Sequence, residues 1–226
     1  MRKIVLDTET SGLNPKEDRI IEIACLELIN DIPTGNVYHK FFSPGNIRIS
    51  PEAEKVHGLS NNFLSKYDLF DNQVDEVLDF LEDSPIIIHN VSFDLSMINS
   101  SLERLRLPKL LEKRCICTLI MARKLFPGSK VNLNALCRRY KISIESREKH
   151  DAVTDCFLLA QVYLELTGGK QHKFNFFEKK KNLSKLRTKK MNIKLTPEII
   201  VDKRELDCHE KMLSEISNSI WQKNKN

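Results

Sequence analysis

The sequence predicts an α/β fold: a mixed sheet, three antiparallel strands followed by parallel ones, flanked by helices and trailed by a C-terminal tail. Three β-branched runs follow one another within the first 42 residues, strand and helix patterns alternate from there to residue 166, and apolar periodicity stops after Gly168 and Gly169.

Residues 2–7 (RKIVLD) and 19–29 (RIIEIACLELI) are rich in Ile, Val and Leu and read as strands. A third strand is expected near 37–42 (VYHKFF), after a turn at Thr34 and Gly35. Residues 73–82 (QVDEVLDFLE) carry helical spacing, and 86–88 (III) is a short buried strand. Leu95, Ile98, Leu102 and Leu105 lie on one stripe of a helix over 94–106. A strand at 115–118 and helices near 119–126, 132–140 and 152–166 complete the core. Helices between the later strands supply the crossovers that parallel pairing requires.

Charge divides the chain. Residues 1–169 hold 21 Lys and Arg against 24 Asp and Glu, a net of −3, whereas 170–226 hold 15 against 7, a net of +8. The expected organisation is a folded domain over 1–169, a basic mobile linker over 170–194 and a helical tail over 195–226. The linker contains ten Lys or Arg and one acid, Glu178, with no apolar period. Order is expected to return at Thr196-Pro197-Glu198, since Thr suits a helix N-cap and Pro the first helical position. Leu206, Leu213, Ile216 and Ile220 then share one face. One helix cannot bury that stripe within itself, so either a partner covers it or it folds back onto the core.

No run approaches the roughly 20 apolar residues of a membrane span. The start MRKIVLDTET passes directly into a strand pattern, not a signal peptide, so a cytoplasmic protein is the expectation. Cys25, Cys115, Cys117, Cys137, Cys156 and Cys208 form no C-x-x-C pair, and four of them lie in apolar segments. Reduced thiols, rather than a disulfide or zinc framework, follow.

The carboxylates carry the chemical signal. Asp7 and Glu9 lie two apart near the end of the first strand, so both project from one face, separated by roughly 6.6 Å of strand rise. Alone, such a pair is either a cation site or two solvated carboxylates. Asp94 borders the buried stripe of its helix, and Asp155 lies among Ala152, Cys156, Leu159, Ala160 and Tyr163, the apolar face of the last core helix. A carboxylate in that setting needs a hydrogen-bond donor, a cationic partner or a metal. If the four acids converge, their repulsion calls for cations, and hard oxygen ligands select Mg²⁺ or Mn²⁺. Two such ions roughly 3.5–4 Å apart can serve both the attacking and the leaving oxygen of a phosphodiester. His150, five residues before Asp155, is placed to take a proton from the attacking water, or else is an incidental loop histidine.

Three segments bring these residues together with a known family. Asp7-Thr8-Glu9-Thr10-Ser11-Gly12-Leu13, His89-Asn90-Val91-Ser92-Phe93-Asp94 and His150-Asp151-Ala152-Val153-Thr154-Asp155 resemble, in order and spacing, the three exonuclease motifs of the DEDD family with a histidine in the third. The likeness is closer still to the branch that proofreads beside bacterial replicative polymerases. It extends to Pro51-Glu52-Ala53 with Val56-His57-Gly58, to Ala122-Arg123-Lys124-Leu125-Phe126-Pro127-Gly128, and to Tyr163-Leu164 with Thr167-Gly168-Gly169.

The resemblance implies a ribonuclease-H-like fold and 3′-to-5′ removal of single nucleotides from a DNA 3′ end. It implies two divalent cations, Mg²⁺ or Mn²⁺, held by Asp7, Glu9, Asp94 and Asp155, with His150 as general base. It implies further that Glu52 and His57 line the pocket for the terminal nucleotide and that Leu13 packs against its base, with Asp7, Glu9 and Asp155 also meeting the substrate. Without the resemblance, Glu52 is a helix N-terminal charge, His57 a turn residue before Gly58, and Leu13 ordinary core. Mismatched ends fray at lower cost, so selectivity for errors can come from the substrate. The mild negative charge of residues 1–169 argues against strong autonomous DNA binding and for delivery by a partner.

Gln171-His172-Lys173-Phe174-Asn175-Phe176 resembles the peptide by which such subunits contact the β sliding clamp; the alternative is that Phe174, Phe176 and Phe177 cover the edge of the core. The final segment, with His209-Glu210, Leu213 and Trp221, is similar to the tail that docks on the polymerase α subunit. Two other functions fit parts of the same pattern. An RNA-trimming exonuclease of the same family shares the acids and the histidine but has less need of the tail. A non-catalytic clamp-to-polymerase adaptor would not need all five site residues.

Overall fold

β1 (Arg2–Thr10), β2 (Ile20–Ile29) and β3 (Ile32–Phe41) form an antiparallel meander. β4 (Ile86–Ile88) and β5 (Cys115–Cys117) extend the sheet in parallel from the other side of β1, giving the order β3-β2-β1-β4-β5. The mixed α/β sheet is the one that the residue pattern predicts. The structure, a computed structural model, describes residues 1–144, 150–168 and 202–215. The chain divides into two compact units, Met1–Phe174 and Asn175–Asn226.

The hairpin between β2 and β3 turns earlier than expected. Ile29 pairs with Ile32, and the two loop residues, Asn30 and Asp31, have φ of 52° and 67°. Two consecutive positive φ values suit the tight turns that match strand twist, and Asn and Asp tolerate that region best after Gly. Thr34 and Gly35, the expected turn, lie inside β3 instead. There the register shifts between the Leu26–Val37 and Leu28–Pro33 pairs, and Gly35, at φ 85°, supplies a bulge.

Alternation along β1 builds the two faces of the core. Ile4 and Leu6 pack with Cys25, Ile86 and Ile88 on one side, against α3 (Val74–Leu81) and α4 (Val91–Arg104). Val5 packs with Ala24, Leu26 and Ile87 on the other, against α6 (Leu133–Arg139) and α7 (Ala152–Leu166). α5 (Thr118–Leu125) follows β5 directly and joins the second cluster through Ala122. α7 lies fully against β1 and β2, burying nine residues that include Cys156, Leu159, Val162 and Tyr163. Burial of each Leu or Val side chain contributes roughly 1.5–3 kcal/mol, so this one helix is a principal source of core stability.

Two short helices, α1 (Pro51–His57) and α2 (Asn61–Leu64), sit between β3 and α3. Their start signals are local: Ser50 Oγ accepts from Ala53 N at 3.1 Å and Ser60 Oγ from Phe63 N at 3.2 Å, and Pro51 occupies the first turn. α4 begins at Val91, three residues before the expected start, which sets Asp94 in its first turn instead of at its first position.

In the second unit the described helix is α8 (Lys203–Glu215), none of whose residues is buried. Leu206 is 51% exposed. Ile216 and Ile220 of the anticipated stripe, the start at Thr196-Pro197-Glu198, the basic segment 170–194 and Trp221 lie outside the described residues. Among the described residues no helix is long and apolar enough to cross a membrane. The described cysteines carry free thiols.

Candidate active site

The site forms where β1 runs out between α4 and α7. β1 continues past Asp7 to Thr10, and Asp7 and Glu9 pair with Ala24 and Glu22 of β2. Alternation therefore sends Asp7 and Glu9 toward the α7 side and Thr8 toward the α4 side. Thr8 Oγ1 there donates to Asp94 Oδ1 at 2.7 Å.

α7 supplies the remaining groups. Asp151 caps it, accepting from Thr154 N at 2.9 Å, and this fixes Asp155 in the first turn, 4% exposed. His150 Nδ1 lies 3.3 Å from Asp155 Oδ2. The backbone N of His150 donates to Val56 O at 3.3 Å, tying the third motif to α1. Glu9, His150 and Asp155 each present a ligand atom, and all of these atoms lie within 4.8 Å of one another.

Asp7 and Asp94 belong to the same neighbourhood, as the Cys156 thiol records. Burial comes first in pushing that thiol well above its ordinary range, and the negative charges of Asp7, Asp155 and Asp94 all add to the effect. The charges of three acids from three separate elements thus bear on one buried sulfur, which sits 3.3 Å from Ala24 O and 3.6 Å from Val5 O. Asp94 itself is pushed up to about 6 by burial, against which the Thr8 hydrogen bond works. Burial disfavours the charged form of Asp94, and a hard divalent cation beside these carboxylates would favour it. Asp7, Glu9, Asp94 and Asp155 are the residues that would hold such ions.

A cavity of about 590 Å³ adjoins Glu9. Leu13, Glu52 and His57, separated by up to 44 positions of chain, all line it, together with Thr8 and Phe93. Leu13 is 82% exposed, so it is not core; its loop is held by Asp18, which accepts from Ser11 Oγ at 2.9 Å and from Asn14 N at 2.8 Å. His57 is buried at the end of α1, and its Nδ1 accepts from Leu59 N at 2.9 Å, which leaves the proton of the neutral ring on Nε2. Glu52 is exposed in the first turn of α1.

Sequence reasoning missed three contributors. Thr8 was hidden because a threonine in a strand ordinarily signals nothing beyond β propensity, and Phe93 because it reads as helix packing. The third is Glu22, 1% exposed, which sits across from Glu9 and faces His39 Nε2 at 2.8 Å. An acid amid the apolar run of β2 was the available signal. Gln171, Phe174 and Phe176 lie outside the described residues.

Comparison with known proteins shows the family to which this fold belongs. The profile of the exonuclease family (RNase_T) matches residues 4–163. The DNA polymerase III subunit epsilon of Rickettsia felis is 43% identical, over 96% of this chain and 97% of its own length. That of Buchnera aphidicola subsp. Acyrthosiphon pisum is 40% identical, over 97% and 98%. Among solved structures, exonuclease X in complex with 5′ overhanging duplex DNA aligns with a TM-score of 0.57 at 26% identity, over 73% of this chain and 90% of that one. The nuclease domain of 3′hExo, a DEDDh family member bound to rAMP, shares the fold at a TM-score of 0.62 and 15% identity, over 76% and 94%. By its family match and its near-full-length relatives, the chain belongs to the exonuclease family, among the DNA polymerase III epsilon subunits, and is a 3′-to-5′ exonuclease.

Proposed function

We propose that the chain proofreads for a replicative DNA polymerase, hydrolysing mispaired nucleotides from the DNA 3′ end at the site formed by Asp7, Glu9, Asp94, His150 and Asp155. The observation that carries this reading is the convergence of Glu9, His150 and Asp155, from β1 and α7, within 4.8 Å of one another. Two divalent cations, Mg²⁺ or Mn²⁺, would be held by Asp7, Glu9, Asp94 and Asp155. When bound they supply charge stabilisation at the reacting phosphate and ease the ionisation of water.

The protein's own groups do the rest. His150 has Nδ1 turned to Asp155, so Nε2 is the atom that accepts the proton of the attacking water. The cavity beside Glu9 takes the terminal nucleotide, with Leu13 against the base and Glu52 and His57 lining the pocket. Removing the terminal nucleotide into a separate cavity requires an unpaired end, which a mismatch supplies at lower cost.

Residues 170–194 serve as a basic tether, 195–226 as the helical segment that docks on the polymerase III α subunit, and Gln171, Phe174 and Phe176 as a contact for the β clamp. α8, with no buried residue, supports the docking role. The reading places the protein in the cytoplasm, at the replisome. Truncation after residue 195 is expected to abolish co-elution with the α subunit while nuclease activity persists; retained co-elution would refute the docking role. Gln171→Ala with Phe174→Ala should weaken binding to the clamp, and unchanged affinity rules that contact out.

The direct test is divalent-dependent release of mononucleotides from single-stranded DNA, with Asp7→Ala and His150→Ala as inactive controls. Equal or faster hydrolysis of RNA would favour the RNA-trimming alternative. Absence of release with any divalent ion would leave the adaptor role.

A further inference from the structure

α1 serves two parts of the site at once. Its residues Glu52, Ala53, Val56 and His57 line the cavity beside Glu9, and its last turn holds the segment that carries His150. The second contact is made by backbone alone, His150 N donating to Val56 O at 3.3 Å. Val56 O is one of the last four carbonyls of its helix, which lack partners within the helix and must find them outside. His150 stands just before Asp151, the cap of α7, and outside any helix or strand, so α1 gives it a seat that α7 does not.

Hydrogen bonds, more than burial, hold α1 in place. Of its seven residues only His57 is buried, while Pro51, Glu52, Glu54, Lys55 and Val56 are exposed. Ala53, half-buried, packs against the small cluster of Ile21, Ile49 and Leu64. Before the helix Ser50 N donates to Ser11 O at 2.8 Å, and Ser11 N donates to Arg19 O at 2.9 Å, which joins α1 to the base of the loop carrying Leu13. At its end Gly58, at φ 77°, donates to Glu54 O at 2.7 Å. An element with so little buried apolar surface belongs to the low-stability end of a fold, where one added contact changes its order most. A nucleoside lodged between Leu13 and α1 is such a contact.

We infer that α1 couples the nucleotide cavity to the general base: a nucleoside in the cavity fixes α1, and Val56 O then holds His150 beside Asp155. Val56, through its carbonyl, and Gly58, through the cap that follows it, are positioning residues for the reaction. The inference rests on the proposed exonuclease reading, with His150 as the base, and adds control of that base by the cavity's occupant. A terminal nucleotide that fits poorly leaves α1 loose, so its penalty falls on turnover as well as on binding. One helix thus selects twice, at its side chains and again at its last carbonyls.

The test uses the full chain and thymidine, which fills a nucleoside cavity but has no phosphate to reach the acids. With thymidine at about ten times its Kd, hydrogen exchange at the His150 amide should slow about tenfold, because exchange there requires α1 to let go. Gly58→Ala strains the left-handed cap. It should abolish the slowing and lower kcat on oligothymidylate with Mn²⁺ about tenfold, part of what a general base contributes, with KM changed less. Gly58→Asn, which tolerates that conformation, should restore most of both. In a His150→Ala chain Gly58→Ala should cost nothing further, since the two act through one group. A loss there equal to that in the parent would make α1 merely structural and overturn the coupling. An unslowed His150 amide in a parent protein whose Val56 and His57 resonances shift with thymidine would also overturn it, leaving the exonuclease intact. Resonances that do not shift at all would remove the nucleotide cavity and the coupling with it, and a parent that releases no nucleotide would remove the exonuclease reading itself.

Discussion

Thr8 Oγ1 and Asp94 Oδ1, 86 positions apart in the chain and both buried, are joined by a 2.7 Å hydrogen bond. The bond crosses from β1 to α4 and leads the hydrogen bonds that oppose the effect of burial on Asp94. A hydrogen bond to a charged group contributes about 1.5–3 kcal/mol, so Thr8→Val should weaken Mn²⁺ binding about tenfold at neutral pH. Thr8→Ser should restore most of it. Calorimetric titration of the folded variants measures this, and parental affinity in Thr8→Val would count against a role for the bond.

The raised Asp94 acid range has a sign that stability measurements can read. Asp94 ionises at about 6 in the folded chain against an ordinary 3.8, so between those values the folded state keeps a proton that the unfolded state has released. Stability without divalent ions therefore falls as pH rises through that window and has lost the whole contribution above it. Asp94→Asn, which cannot ionise, should exceed the parent in thermal midpoint at neutral pH by at least about 2 °C, the shift expected from ~1 kcal/mol in a domain of this size. The gap should shrink as pH falls below the Asp94 range. A gap independent of pH would assign it to another cause.

His150 is expected to act on the rate more than on cation affinity. General-base groups contribute typically about 10²–10⁴-fold, so His150→Ala should lower turnover by that order while changing Mn²⁺ affinity far less. Nucleotide release under saturating Mn²⁺ separates the two. Equal loss in both would make His150 a ligand.

Gly12 has no room for a side chain, since a Cβ there would meet the Asp18 carboxylate at 2.5–2.6 Å. That carboxylate cannot retreat without releasing Ser11 Oγ and Asn14 N. Gly12→Ala should therefore shift the loop carrying Leu13 and raise KM for single-stranded ends about tenfold, the loss of roughly 1.4 kcal/mol of contact at the terminal nucleotide. The kcat should fall less. An unchanged KM would mean that Leu13 makes no contact with the base.

Much of this architecture was legible in the chain because period-2 and period-3.6 patterns are strong where an element is buried on one side. The helix over 152–166 and the strand at 86–88 appear at those bounds. The hairpin turn was misplaced because Gly35 is a stronger local cue than Asn30-Asp31, although it is the Asn-Asp pair that satisfies the register. α2 leaves no apolar period in its four residues and its cap at Ser60 acts over a single turn, whereas α1 shows in the sequence only through Glu52, an acid suited to a helix N-terminus. Within the site, the acids and His150 were visible as charges in unusual surroundings. Thr8 was not, because its meaning comes from Asp94, 86 positions away in the chain.

The nine-residue β1 serves two helices through its odd and even positions. A deletion or insertion that slipped its pairing by one residue would swap those assignments, carrying the acids to the α4 side and Thr8 toward α7. The side chains of this strand can drift within their chemical types, but its length is frozen. Variation among working copies should therefore appear here as replacements and never as gaps.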